Sequence, residues 1–149
     1  MTPAVQIVPF SLRHLPRVLR IERASFGREA WPRSLFLEYY RECREGFLVA
    51  KLGGRIAGYI LICMARRGAE IDSIAVHPDY RRCGVADALM DHSLRALAAA
   101  GVRRVELMVR PDNTAGLRLY RSWGFRRARL VRGYYEDGED GVLMVRALQ

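Results

Sequence analysis

The sequence is nearly without lysine: it carries 25 cationic side chains in 149 residues, and Lys51 is the only lysine among them. Cysteine is scarce and odd in number, with Cys43, Cys63 and Cys83 far apart. They suggest no disulfide framework and no Cys-x-x-Cys metal pair, which points to a reducing cytoplasm. His14, His77 and His92 also stand apart, without metal-ligand spacing, so no metal site is expected. Long apolar runs are missing: residues 56–64 fall well short of the roughly twenty that a membrane-spanning helix needs, and no membrane role is expected. The first residues, Met-Thr-Pro-Ala-Val-Gln, lack the basic start and apolar core of a secretory leader. With no linker, repeat or low-complexity tract, residues 1–149 read as a single domain.

What is present is ordinary in amount and unusual in kind. Half of the residues are apolar and 28% are charged, as in soluble globular proteins and unlike disordered ones. The net charge of +9 admits nucleic acid, an anionic membrane or a phosphorylated ligand as partner, and equally a solvated surface rich in arginine. The arginines are spread over every segment, and no recognition helix or RNA-binding aromatic pair appears, which argues against nucleic acid.

Periodicity supplies the elements. Residues 5–8 read as a strand, and Ser11 can cap a helix over Leu12, Leu15, Val18 and Leu19. Trp31-Pro32 restarts a helix that Gly46 ends. Residues 47–52 and 55–64 flank Gly53-Gly54, the positive-φ pair of a tight hairpin. A strand at 69–76 stops at Pro78. A helix follows Gly84 and ends at Gly101. Then come a strand at 105–109, a helix capped by Asn113 or Thr114, and strands near 128–135 and 142–148. The order β-α-α-β-β-β-α-β-α-β-β describes a mixed α/β protein rather than a uniform parallel repeat.

One junction carries the chemistry. A strand ending in Ile74, Ala75 and Val76 runs through a basic turn, Arg81-Arg82-Cys83, into a helix that opens at Gly84-Val85-Ala86. A helix start leaves amide N–H groups unpaired and carries partial positive charge, and glycine lets a ligand approach the backbone. Such a turn suits a pyrophosphate. It is neither a Walker loop nor a Rossmann glycine motif.

This Arg-x-x-Gly-x-Ala segment resembles the acetyl-CoA motif of the GNAT N-acetyltransferases. Val109 to Asn113, then Ala115, Leu119-Tyr120 and Gly124-Phe125, resemble the family's next motif. Tyr134-Tyr135 with Asp137-Gly138-Glu139-Asp140 and Leu143-Met144 resemble the tail of the RimI-like branch, the ribosomal-protein alanine N-acetyltransferases, and Phe26 and Trp31-Pro32 match that branch loosely. The resemblance implies a GNAT fold, a mostly antiparallel seven-stranded sheet with helices on both faces. It implies acetyl-CoA as cosubstrate, no metal, and transfer of acetyl to a primary amine, above all a protein N-terminal α-amine. A small-molecule amine acetyltransferase and a catalytically silent acetyl-CoA sensor are the alternatives, in a monomer or homodimer. In the family the fourth strand diverges from the fifth. By that resemblance, backbone groups of Ile74, Ala75 and Val76 pair with pantetheine, Arg81, Arg82, Cys83, Gly84, Val85 and Ala86 hold the pyrophosphate, and Asn113 contacts the cofactor. Tyr120 protonates the leaving sulfur, and Tyr134 and Tyr135 bind peptide backbone. Cys83, beside the cradle, is expected to be shielded by acetyl-CoA.

The departure is Met108, where RimI-like enzymes commonly carry a glutamate; a thioether is no base. Glu70 is the substitute expected here, with Asp72 on its face of the strand and either acting through a water. Glu106 lies two residues before Met108 and reads equally well as a solvent-facing strand residue. An α-amine, with a pKa of about 7.7–8.0, is roughly a tenth to a sixth neutral at pH 7, whereas lysine is neutral only about four times in ten thousand. A weak or water-relayed base therefore suits an α-amine. Glu136, Asp137, Glu139 and Asp140 form the one dense acidic cluster, expected to attract a cationic acceptor or else to be a polar turn.

Overall fold

The computed structural model describes residues 4–149; Met1 to Pro3, where the stretch read for a leader begins, lie outside the described residues. The elements are β1 (Val5–Pro9), α1 (Leu15–Phe26), α2 (Arg33–Glu42), β2 (Phe47–Leu52), β3 (Arg55–Ala65), β4 (Gly68–Val76), α3 (Val85–Ala99), β5 (Arg104–Val109), α4 (Thr114–Ser122), β6 (Arg126–Val131) and β7 (Gly141–Ala147). Their order is the expected one. The strands form a seven-stranded sheet in the order β1-β2-β3-β4-β5-β7-β6. The β4–β5 ladder is parallel, whereas β1–β2, β2–β3, β5–β7 and β6–β7 are antiparallel. No helix among the described residues is long and apolar enough to cross a membrane.

The chain packs as two compact units. One runs through Cys63 and resumes at Ser73–Arg95; the other comprises Met64–Asp72 and Ala96–Gln149. In the first, the β2–β3 hairpin turns on Gly53 and Gly54, at φ 60° and 80°. Its core holds Phe10, Val18, Ile21, Phe36, Phe47 and Tyr59, all buried. Phe10 stacks on Phe47 with ring centroids 3.9 Å apart. Each such buried apolar side chain contributes roughly 1.5–3 kcal/mol. In the second, Val105, Leu107 and Val109 of β5 are buried with Phe125, Val142 and Met144, while alternate residues of β5 are only partly covered.

Three expectations are corrected. Cys43 and Cys63 are bonded in a disulfide, with Cα atoms 5.2 Å apart. Distance in sequence concealed the pair: the segment after α2 returns through the hairpin and brings Cys43 beside β3. Ser11 begins a 3₁₀ turn, Leu12–His14, ahead of α1 rather than the α-helix itself. The sixth strand stops at Val131, so Tyr134 and Tyr135 sit in a turn. Gly133 takes φ 62° and its N–H donates to Asp140 Oδ1 at 2.9 Å, which bends the chain out of the ladder.

Candidate active site

The strand–turn–helix junction is built on a close approach. A Cβ on Gly58 of β3 would lie 2.7 Å from the Ala75 carbonyl oxygen and 3.1 Å from Val85 Cγ1. Glycine there lets β3 press against the end of β4 and the start of α3. His77 N–H donates to the Ala57 carbonyl at 2.8 Å, and its Nδ1 accepts from the Asp79 N–H at 3.1 Å, so the chain leaves β4 in a fixed direction. Arg82 and Gly84 then take positive φ, 63° and 77°. No atom of the described residues lies within 4 Å of the place a Gly84 Cβ would occupy. The first bond of α3 runs from the Ala88 N–H to the Gly84 carbonyl at 3.0 Å, so the amides ahead of it have no intrahelical acceptor. Arg81 and Arg82 are exposed, and the Cys83 thiol donates to the Arg81 carbonyl at 3.6 Å. The turn is open, cationic and rich in donors, a cradle that fits a pyrophosphate.

The β4–β5 ladder covers only Ala69–Ile71 against Val105–Leu107. Among the described residues the ladder does not extend to Ile74, Ala75 or Val76.

Carboxylates collect at the paired end of β4. Glu70 stands opposite Glu106 in the register, and Asp72 is two residues on, on the same face. Burial pushes the Asp72 carboxyl up to about 7, with the Glu70 charge and a hydrogen bond to Glu70 acting in the same direction. Tyr134 faces this group: burial raises its hydroxyl pKa, and the charges of Glu70, Asp72 and Glu106 raise it further. Its ring meets that of Tyr135 edge-on at 4.9 Å. Glu106 is partly neutralised by Arg104, 3.2 Å away. Met108 packs where a Cβ on Gly141 would lie 2.8 Å from its sulfur and 3.2 Å from the Tyr134 ring. The residue that departs from the family pattern thus stands beside Tyr134.

Helix α4 holds two more expected site residues. Asn113 Oδ1 accepts from the Gly116 N–H at 2.9 Å, as an N-cap. Tyr120 meets Phe125 edge-on at 6.2 Å, and burial raises its pKa, which keeps the hydroxyl protonated. No hydrogen bond joins Tyr120 to Glu70 among the described residues.

The model of the acetyltransferase (GNAT) family matches residues 15–125. An N-alpha-acetyltransferase of Sulfurisphaera tokodaii is 32% identical, over 92% of this chain and 89% of its own. The chain belongs to the GNAT acetyltransferase family. It is an acetyl-CoA-dependent acyltransferase. A [ribosomal protein bS18]-alanine N-acetyltransferase of Escherichia coli K12 is 33% identical, over 87% of this chain and 88% of its own. The crystal structure of Ard1 from Thermoplasma volcanium superposes with a TM-score of 0.91 at 33% identity, covering 98% of this chain and 99% of that one.

In this acetyltransferase the acidic hairpin is largely engaged internally. Arg110 lies 3.0 Å from Asp137 and 3.8 Å from Glu139, and its guanidinium sits 4.0 Å above the Tyr135 ring. Asp137 accepts the Glu139 N–H at 3.0 Å. That bond and the Arg110 guanidinium hold its carboxyl below the usual range.

The acetyltransferase also holds a carboxylate that pattern reading passes over. Glu22 of α1 is buried, accepting the Tyr59 hydroxyl on Oε1 and the Trp31 N–H on Oε2 at 2.9 Å. The Tyr59 hydroxyl also meets Ser73 Oγ at 2.9 Å. Burial raises the Glu22 pKa, offset in part by the Tyr59 and Trp31 hydrogen bonds. The network fixes the loop after α1, which holds Trp31. A charged residue inside an apolar helical stripe was its one signal in the sequence.

Proposed function

We propose that this enzyme moves the acetyl group of acetyl-CoA onto the N-terminal α-amine of a protein or peptide, as a single domain, residues 1–149, and a monomer or homodimer. The observation that carries this reading is the Glu70–Asp72 pair, with Asp72 poised near pH 7. A base works best when its pKa lies near the operating pH, and a base of this strength matches an α-amine far better than a lysine. The names of the relatives, an N-alpha-acetyltransferase and a ribosomal-protein alanine N-acetyltransferase, support the same acceptor.

The roles follow from the chemistry. Bound acetyl-CoA supplies an acetyl group activated as a thioester. The cradle from Arg81 through Arg82, Cys83, Gly84 and Val85 to Ala86 holds its pyrophosphate, the free edge at Ile74, Ala75 and Val76 holds its extended arm as an added strand, and Asn113 contacts it. Amides near Val76 polarise the reacting carbonyl. Tyr134 and Tyr135 orient the acceptor backbone. The Glu70–Asp72 pair takes the proton that the amine gives up as the carbon–nitrogen bond forms. Tyr120 gives a proton to the sulfur as the carbon–sulfur bond breaks. Both substrates are held together, so positioning replaces an acyl-enzyme.

The test is turnover against peptides with free α-amines, N-blocked lysine peptides, polyamines and amino acids. The expected result is acetylation of free α-amines at least about a hundredfold faster than of blocked lysine peptides, following the neutral fractions. Stabilisation by acetyl-CoA without turnover on any amine overturns the enzyme in favour of a sensor, and preference for a small amine moves the acceptor class. The cytoplasm is the proposed compartment. The Cys43–Cys63 bond sets the check: a bridge persisting in protein trapped directly from cells argues against a strongly reducing compartment.

A further inference from the structure

Much of the positive charge lies outside the cradle, and part of it gathers where β2 and β3 meet the 3₁₀ turn before α1. A cavity of about 460 Å³ there is lined by Arg13, His14, Arg17, Lys51 and Arg55. His14 is the informative member. It is 5% exposed, and its Nδ1 accepts the Ser11 backbone N–H at 3.0 Å. An amide N–H can only donate, so Nδ1 carries the lone pair and the ring proton resides on Nε2. Nε2–H has no acceptor among the described residues. Leaving such a buried donor unmet is costly. Arg17 Nε donates to the Ile56 carbonyl at 3.0 Å, which fixes one guanidinium at the wall. No ion pair joins any of the four cations to a carboxylate among the described residues. The cavity is therefore lined by polar side chains that all donate.

We propose that this cavity is a phosphate-binding site, separate from the acetyl-CoA cradle, in which the Arg13, Arg17, Lys51 and Arg55 side chains hold the phosphate groups of a polyanionic ligand, with His14 in the wall beside them. The donor set excludes cations and gives neutral acceptors no advantage. Guanidinium forks match phosphate oxygens in pairs. The volume is in the range of sites for ligands much larger than one ion, so the ligand is either a small polyphosphorylated molecule or a run of RNA backbone.

The test uses the full chain with imidazole-¹⁵N histidine and saturating acetyl-CoA, so that the cradle is already filled. Pyrophosphate and a single-stranded oligouridylate are titrated separately at constant ionic strength while the His14 Nε2 resonance is followed. The expected result is a saturable shift, weakened at least about tenfold in R13Q/R55Q and recovered to within about threefold in R13K/R55K, which keeps the charge. Acetylation turnover stays at the wild-type level in both variants, showing that they fold. Tighter binding of oligouridylate, with a log–log salt slope of about −2 to −3 for four neutralised phosphates, assigns RNA backbone. Binding of pyrophosphate at least as tight assigns a small polyphosphate. Absence of a saturable shift with either probe, or equal affinity in R13Q/R55Q, overturns the proposal.

Discussion

Two groups of carboxylates in one unit of the protein behave in opposite ways. Asp72, beside Glu70 on β4, is pushed up to about 7 by burial and by its acidic neighbour. Asp137, in the 136–140 hairpin, is held below the usual range, first by the Glu139 N–H and then by Arg110. The hairpin is denser in acid, yet its charges are answered locally by Arg110 and backbone amides. The β4 pair has only two acids, and they face a third acid and a tyrosine. Charge density marks a surface, whereas a carboxylate without a compensating cation in a partly desolvated place can take up a proton near neutral pH.

The comparison is tested most strongly by removing the β4 pair. Glu70→Gln with Asp72→Asn should lower kcat by about 10²–10⁴, the range for losing a general base, with acetyl-CoA affinity unchanged. The acid limb of the kcat/KM profile, expected near pH 7 in the wild type, should vanish. Glu106→Gln should lower kcat by less than about threefold, since Arg104 already engages that carboxylate. If Glu106→Gln matches the double variant, the base lies on β5 instead.

Stability gives a second, smaller test. The folded Asp72 pKa lies above its unfolded value of 3.8, so the folded state favours the protonated form. Its contribution is therefore fully present below about pH 4 and is lost as pH rises through about 7. Asp72→Asn should remove that loss and stabilise the protein at pH 8 by ~1–2 kcal/mol, less than the full shift implies because the site is partly solvated. Urea denaturation at pH 5 and pH 8 reads it directly. An Asn variant no more stable than wild type at pH 8 means that Asp72 ionises freely.

The sequence made one kind of feature legible and hid another. The turn at Gly53-Gly54, the cap at Asn113 and the junction at Gly84 are local, since each depends on a few neighbouring residues with a fixed backbone demand. They placed these turns and the element order correctly. The Cys43–Cys63 bond and the Glu22–Tyr59–Ser73 network join residues distant in the chain, and no local period encodes such pairs. Glu70 was legible as a carboxylate on β4. The poise of Asp72 was not, because it arises from desolvation and from side chains gathered by tertiary packing. Tyr134 and Tyr135 continue a strand pattern until Gly133 and Asp140 turn the chain, a contact across seven residues.

The smallest effect is expected in the hairpin. Asp137→Asn with Glu139→Gln removes two charges that Arg110 already balances, so the field reaching an incoming amine changes little. KM for a cationic acceptor peptide should change by less than about threefold, in the range of exposed ion pairs. Arg110→Gln does the reverse: it leaves both carboxylates uncompensated and should lower that KM at low salt, with the difference fading at high salt. The pair of variants separates two roles for the same acids. If neutralising Asp137 and Glu139 raises KM more than about tenfold while Arg110→Gln leaves it unchanged, the hairpin binds substrate directly and the contrast with the β4 pair is lost. If the order is as expected, Arg110 is what keeps the densest acidic cluster from acting as an acceptor site, and the chemistry stays with the two β4 acids, which no cation among the described residues answers.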